Sequence, residues 1–441
     1  MDDERPNHLL RVLGTAFGLA VVVGGTIGQG IMRTPGLVAE GAPDATLIVL
    51  LWLGGGLLIL IDAMSTVELA SSIRRCGGPY VFARRAFGPF AGLATGLADW
   101  LGNVAGIAYV GVVFAEFLHR LGIATTVPLG LIAALLPVTV GVVHWFGTRV
   151  GGASQQIGSA IKAMVYGTLI AALLLAPRSA PVVAAPMHPV LSTVGMIAAV
   201  RAIMGAYQGW NTAAYFCEEM KDARRSMARS TFTGIAAVIA VYVLMNVAIL
   251  RALSPAEMAG SKLVAADAAA RVWGSSPLIA DRIVTLVSLI SVVTIENVLV
   301  MQFPRVLFAV ARDAEVPMLS DVAANGTPRL ALAITVTLAA LLATIGVYDV
   351  LLSLSLVLVM AMSIGVNAAA IAMRMKEPEL ERPYRMPLFP LPALFSMAFN
   401  SGLLIAFTYE DPVTSVSAFA LLMLVTACLY YPIRVRRAAA A

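Results

Sequence analysis

Apolar residues fill this chain in long runs separated by short polar stretches that carry most of the charge. Twelve runs can be counted, at 11–36, 45–69, 88–119, 124–144, 155–176, 190–217, 231–253, 279–311, 329–347, 349–373, 389–409 and 414–433. Each reaches the roughly 20 residues a helix needs to cross the hydrocarbon core. The pattern predicts an all-α polytopic membrane protein with twelve transmembrane helices. No connection is long enough for a soluble domain. No cleavable signal peptide is expected, because no small-residue cleavage site follows the first run.

Two of the runs are interrupted. The first contains Thr26-Ile27-Gly28-Gln29-Gly30-Ile31-Met32-Arg33-Thr34-Pro35-Gly36, with Gly24 and Gly25 just before it. Each glycine costs about 1 kcal/mol relative to alanine in a helix interior. A helix opened at membrane depth frees N–H and C=O groups that only protein or a water-filled cavity can satisfy. The sixth run is broken in the same way, by Gly205-Ala206-Tyr207-Gln208-Gly209-Trp210-Asn211-Thr212. Interrupted segments at corresponding positions of two halves point to the binding site of an inverted-repeat transporter. The expected organisation is one transporter domain over 1–441. Its first repeat spans 11–176, its inverted second repeat 190–373, and two further helices 389–433. Close packing of glycine between helices is the competing explanation for a single cluster. Two matched clusters, each holding a large polar residue, favour a site.

Composition agrees with the pattern: 59% of residues are hydrophobic and 12% charged, against about 25% charged in soluble domains. With the N-terminus inside, cytoplasmic segments hold 21 of the 30 basic residues and outer segments seven. That asymmetry predicts both termini in the cytoplasm. The exception is the loop after the seventh run, with Arg251, Lys262, Arg271 and Arg282, and long outer loops translocate largely regardless of charge. The net charge of +5 is then topology, and no nucleic-acid partner is expected. Cys76, Cys217 and Cys428 fall at inner ends of runs or in an inner loop, so no disulfide framework is expected. His8, His119, His144 and His188 show no metal-ligand spacing, so neither metal nor cofactor is expected.

At the interrupted runs the chain resembles the amino acid–polyamine–organocation permeases. Ile27-Gly28-Gln29-Gly30-Ile31-Met32-Arg33-Thr34-Pro35-Gly36 is similar to that family's I-G-[ST]-G-I-F-x-x-P-G signature. Val67-Glu68-Leu69-Ala70, Gly77-Gly78-Pro79-Tyr80-Val81-Phe82 and Ala86-Phe87-Gly88-Pro89 resemble its A-E-L, G-G-x-Y-x-Y and F-G-P stretch. Tyr207-Gln208-Gly209-Trp210-Asn211, running to Glu218-Glu219-Met220-Lys221-Asp222-Ala223-Arg224-Arg225, resembles its sixth-helix pattern. Arg305 to Asp313 and Arg382-Pro383-Tyr384-Arg385-Met386-Pro387 follow in the family's order. The resemblance implies a LeuT-type 5+5 inverted repeat with discontinuous helices one and six, and transport of amino acids or related amines. Gln29 departs from the family's usual serine or threonine, which leaves side-chain readout open; Met32 replaces a common phenylalanine.

The residues themselves predict how a zwitterion would be held. The stretch Gly28, Gln29, Gly30 and Ile31 opens the outer half-helix and points amide N–H groups inward, at an end carrying roughly half a positive charge that suits a carboxylate. The carbonyls of Thr26 and Ile27, with those of Ala206, Tyr207 and Gln208 beside Gly209, suit an ammonium. The resemblance assigns the same roles. Asn103, Ser288 and Ser291 are further substrate-binding candidates. Tyr207 and Trp210 are candidate lids. Arg201 is a candidate outer-gate ion pair or a snorkelling residue, and Glu68 a candidate inner-gate residue.

Lys162 is one of only four lysines and lies inside the fifth run. A charged lysine there costs roughly 3 kcal/mol on insertion scales, so it should face the interior and bond to carbonyls of the opened first run or hydroxyls of the eighth. The resemblance places this lysine where sodium-coupled relatives bind a cation, which implies sodium-independent transport. Lys162 would carry a coupling proton or act as a fixed cation. Asp99, one turn before Asn103, and Glu296 are the other coupling candidates. Asp99 could instead pair within the protein, and Glu296 could be structural.

The expected function is secondary active transport of an amino acid, a neutral one preferred, by alternating access with proton symport or exchange. A cationic amino acid or polyamine carrier is the alternative, although a polyamine lacks a carboxylate for the Gly28–Gly30 amides. A sensor is disfavoured because no soluble output domain is present. An enzyme is disfavoured because no metal cluster, Ser–His pair or close carboxylate pair is found. The arginine-rich, lysine-poor composition points to a bacterial inner membrane. Substrate identity, direction of transport and oligomeric state stay open at this level.

Overall fold

The computed structural model describes residues 9–28, 30–176, 192–261, 263–274 and 277–440. Seventeen α-helices follow in order. The first repeat expected above holds α1 (Thr15–Thr26), α2 (Gly30–Gly41), α3 (Ala45–Ser72), α4 (Pro79–Phe87), α5 (Pro89–Arg120), α6 (Leu129–Trp145) and α7 (Thr148–Leu175). The second holds α8 (Thr193–Ala206), α9 (Ala223–Ala252), α10 (Pro255–Ala259), α11 (Val264–Trp273), α12 (Pro277–Gln302), α13 (Pro304–Asp313), α14 (Arg329–Ile345) and α15 (Tyr348–Lys376). Helices α16 (Leu391–Glu410) and α17 (Pro412–Ala440) complete the chain. Among the described residues the sole β feature is an isolated parallel bridge between Leu13 and Met220.

The protein is an all-α, multi-pass membrane protein. Among the described residues, eight stretches are long and apolar enough to cross a bilayer, nine when α1 and α2 are taken as one bent span. Helices α6, α8 and α14 are apolar but shorter, at 10–17 residues. Every one of the twelve predicted runs coincides with helix, although helices of full spanning length number fewer than twelve. Large apolar side chains such as Leu57, Leu131, Leu135 and Leu424 stay exposed, as a hydrocarbon surround permits.

Both predicted interruptions are present. Helix α1 stops at Thr26, Ile27 is extended (φ −68°, ψ 106°), and α2 starts at Gly30. The two half-helices are bent by 45°. Helix α8 stops at Ala206, turns through Tyr207 to Asn211, and resumes as a short 3-10 helix, Thr212–Phe216. The two breaks touch. Gly209 sits at φ +101°, and a Cβ there would lie 2.8 Å from the carbonyl carbon of Gly25. Only glycine meets both the left-handed backbone and the close approach. Helix α3 backs both breaks, through an aromatic cluster in which the Trp52 ring lies 6.0 Å from Tyr207 and 5.2 Å from Tyr242.

Candidate functional site

A cavity of about 410 Å³ opens between the two breaks, within the range of about 300–1,000 Å³ usual for small-molecule sites. Gly25, Thr26, Gly28 and Gly30 line it from the first break, and Ala206, Gln208, Gly209 and Asn211 from the second. Helix α5 contributes Asn103 and Gly106, α12 contributes Ile295, Leu299 and Gln302, and α15 contributes Ser355 and Val359. The charged lining residues are Arg33, Glu116, Arg201 and Glu410. Arg33 and Glu410 are exposed and Glu116 and Arg201 half-buried, which marks the mouth, so the deeper wall is backbone, amide, hydroxyl and hydrocarbon.

The carbonyls that the first break frees are taken up by side chains. The Lys162 ammonium donates to Gly24 O at 2.7 Å and to Ile27 O at 2.6 Å. Ser291 Oγ donates to Ile27 O at 3.1 Å, and the Tyr166 hydroxyl to Gly28 O at 2.9 Å. The Tyr242 hydroxyl lies 2.8 Å from Thr26 O and 2.7 Å from Ala206 O. Its single proton serves one of them at a time, so one side chain ties the two breaks together. Charge-assisted bonds contribute about 1.5–3 kcal/mol each. Two of them offset the roughly 3 kcal/mol that a charged lysine would cost at the midplane.

The sequence candidates divide by position. Thr26, Gly28, Gly30, Ala206, Gln208, Gly209 and Asn103 line the cavity, as does Arg201 at its mouth. Ile27, Ile31 and Tyr207 are buried away from it, and both lone pairs of the Ile27 carbonyl face Lys162 and Ser291 rather than open space. Ser288 bonds back to Val284 O on its own helix. Gln29 lies outside the described residues, as do His8, His188 and Lys262. Tyr207 donates to Trp52 O at 2.9 Å, so it braces α8 against α3, and Trp210 is buried. Asp99 is fully buried and accepts from Tyr215 and Asn103 rather than from a cation. Glu296 is also fully buried, and neither carboxyl oxygen has a hydrogen-bond partner. Arg201 pairs with Glu410 at 2.7 Å and donates to Ser353 Oγ. Cys76, Cys217 and Cys428 are free thiols.

The end of the molecule away from the mouth is closed by ion pairs. Arg305 and Glu219 form a buried pair. Glu68 accepts from Arg374 and the Met386 N–H, with Arg382 beside it. The bridge at Leu13 is completed by Leu13 N–H to Glu219 O and Lys221 N–H to Leu13 O. Glu218 accepts from Arg312 and from the Cys76 N–H at 2.9 Å. Burial pushes its carboxyl up, but Arg312 and the Cys76 amide outweigh this and hold it below the usual range.

Five contributors escaped the sequence reading: Tyr166, Asn211, Tyr242, Gln302 and Ser355. Tyr166 stands four residues after Lys162 and so shares its helix face. That spacing was the signal for Tyr166, and Asn211 stands in the interrupted sixth run; nothing local marks Tyr242, Gln302 or Ser355.

A helical bundle that crosses a membrane and encloses a polar cavity between two facing helix breaks is built as a secondary carrier. Residues 13–429 match the family described as amino acid permease, and the chain belongs to that family. Its function is amino acid transport, not catalysis. The chain is 26% identical over 444 residues to the serine/threonine exchanger SteT of Bacillus subtilis (strain 168), covering 98% of this chain and 99% of the relative. It is 28% identical over 329 residues to large neutral amino acids transporter small subunit 2 of Oryctolagus cuniculus, covering 70% of this chain and 59% of the relative. It is 25% identical over 283 residues to b(0,+)-type amino acid transporter 1 of Mus musculus, covering 60% and 58%.

Proposed function

We propose that this chain exchanges small neutral amino acids across the bacterial inner membrane by alternating access, without sodium, with both termini in the cytoplasm. The observation that carries the reading is the lining of the cavity. At the two breaks it offers glycine backbone and helix ends, which suit a zwitterion, and beyond them the carboxamides of Asn103, Asn211 and Gln302 and the Ser355 hydroxyl. Those groups match a short side chain that can hydrogen-bond. The serine/threonine exchanger among the relatives supports the same substrate class.

A cationic substrate is less well served. Glu410 is already paired with Arg201, and Glu116 shares the mouth with Arg33 and Arg201. Sodium independence is supported by Lys162, whose ammonium fills the space between α7 and the end of α1 and bonds the carbonyls a cation would use. Lys162, Asp99 and Glu296 remain the proposed coupling groups, with Arg201 and Glu68 as gate residues. The repeats 11–176 and 190–373 supply the two moving halves. The mouth end is outward, and the ion-paired end is the closed inner gate.

The test is counterflow in proteoliposomes, with radiolabelled L-serine outside and unlabelled neutral amino acids inside. Serine should accumulate transiently, and replacing sodium by choline should leave the rate unchanged. Failure of every neutral amino acid to drive counterflow would overturn the substrate class. A sodium requirement would overturn the role of Lys162.

A further inference from the structure

A second buried polar cluster lies outside the cavity. Asp62, on α3, is buried in the middle of a helix of spanning length. Asn367 Nδ2, from α15, donates to its Oδ1 at 2.6 Å, and Ser363 Oγ lies 3.1 Å from Oδ1 and 3.0 Å from Oδ2. Ser65 Oγ donates to Asn367 Oδ1 at 2.6 Å, and Asn400 Nδ2, from α16, donates to Ser363 Oγ at 3.3 Å. Ser396 Oγ, also from α16, faces the same carboxyl but makes no hydrogen bond of ordinary geometry. Among the described residues no charged or titratable side chain bears on Asp62 from α3, α9, α15 or α16. The next acid on α3, Glu68, is committed to Arg374 and Arg382.

We propose that Asp62 is a proton-binding site, separate from the substrate cavity, that sets how firmly α3 is held to α15 and α16. The cluster can serve both protonation states. As a carboxylate, Asp62 receives Asn367 and Ser363. When a proton from water adds to Oδ2, the new O–H can donate to Ser396 Oγ, the hydroxyl that lacks a partner. The Ser363 hydroxyl is then free to turn toward the carbonyl one helical turn back. Hydrogen bonds to a charged group are about twice as strong as neutral ones, so protonation weakens the hold of α3 on α15 while adding a bond to α16.

That change reaches the transport site through α3 itself. Trp52 O on α3 accepts from the Tyr207 hydroxyl at the second break. Ten residues separate Trp52 from Asp62, about 15 Å along one helix. This coupling rests on the transport reading given above; the proton site does not. Glu296 differs from Asp62 in that neither of its carboxyl oxygens has a hydrogen-bond partner among the described residues.

The test is infrared difference spectroscopy of the purified full-length protein across about pH 5 to 8, on wild type, Asp62→Asn and Ser396→Ala. Wild type should show a protonated-carboxyl band that titrates and that Asp62→Asn lacks. Ser396→Ala, which keeps the carboxyl but removes a hydroxyl that faces it, should shift that titration. If every titrating carboxyl band survives in Asp62→Asn, the site is refuted. Should that variant not fold, an unshifted band in Ser396→Ala refutes it instead. For the coupling, serine counterflow should vary at least fivefold over the same range in wild type and less than twofold in Asp62→Asn; equal profiles would refute it. Absence of serine counterflow in wild type counts against the substrate class, and the infrared titration still decides the proton site.

Discussion

Replacing Tyr242 by phenylalanine removes one oxygen from the protein and nothing else. That oxygen lies between Thr26 O and Ala206 O, the last helical carbonyls on either side of the paired breaks. The ring stays, packed 5.2 Å from Trp52 and 4.9 Å from Tyr207, so the hydrophobic contribution is retained. The one proton satisfies one carbonyl at a time, so the loss is one hydrogen bond, with a buried acceptor left unsatisfied. Such a loss costs about 1–3 kcal/mol. On the alternating-access reading proposed above, the bond holds the two breaks together in this conformation, so the cost falls on it. An energy of about 1–3 kcal/mol corresponds to about a 5- to 150-fold shift between two states. The apparent affinity for serine, measured by counterflow, should fall within that range. The thermal unfolding midpoint in detergent should fall by no more than about 2–4 °C per kcal/mol. Tyr166→Phe is the control: it removes a bond from α7 to Gly28 O but does not join the two breaks, so it should lower stability with a smaller effect on affinity. If Tyr242→Phe leaves affinity within twofold of wild type while Tyr166→Phe lowers it more, the hydroxyl is not a tie between the breaks and the reasoning is wrong.

Lys162→Met forfeits two charge-assisted bonds, about 3–6 kcal/mol, and recovers the roughly 3 kcal/mol of placing a charge at the midplane. The protein should therefore remain folded by size-exclusion chromatography, with serine counterflow lost or its pH dependence flattened; wild-type transport would remove Lys162 from the mechanism. Gly30→Val should reduce counterflow at least tenfold without loss of expression. A Cβ at Gly30 lies 3.2 Å from Ala206 Cβ and 3.4 Å from Ala206 Cα, so backbone would have to move, and a larger group would enter the space left for substrate. Glu218 gives a pH prediction. Its folded carboxyl is held below the unfolded value of about 4.3, so its clip to Arg312 and Cys76 stabilises the protein above that value and is lost as pH falls through the lowered one. Glu218→Gln should lower the unfolding temperature at neutral pH and converge with wild type in strong acid; an equal deficit at all pH values would mean that the charge contributes nothing.

Much of the architecture was legible along the chain because hydrocarbon is an unforgiving solvent. A backbone group exposed to lipid has no alternative partner, so long apolar runs read as helices, and two matched glycine-rich gaps favoured breaks against protein or water over close helix packing. Gly28, Gly30, Ala206 and Gly209 were expected to hold substrate on that argument, and all four line the cavity between the breaks. The same logic required Lys162 to point inward at freed carbonyls.

Which carbonyls, and which partners, depended on three-dimensional packing. Ile27 O is claimed by Lys162 and Ser291, and Thr26 O meets Tyr242 from a helix more than two hundred residues away. Asp99 turned to Tyr215 and Arg201 to Glu410. Side-chain pairing across helices is set by crossing angles and rotations that hydropathy does not encode, so a polar residue in an apolar run announces a partner without naming it. Sequence alone determined that this protein crosses a membrane and opens two helices within it. Only the tertiary structure decided that Tyr166, Tyr242 and Ser291 would share those ends with Lys162, because such contacts exist only once helices distant in the chain lie side by side.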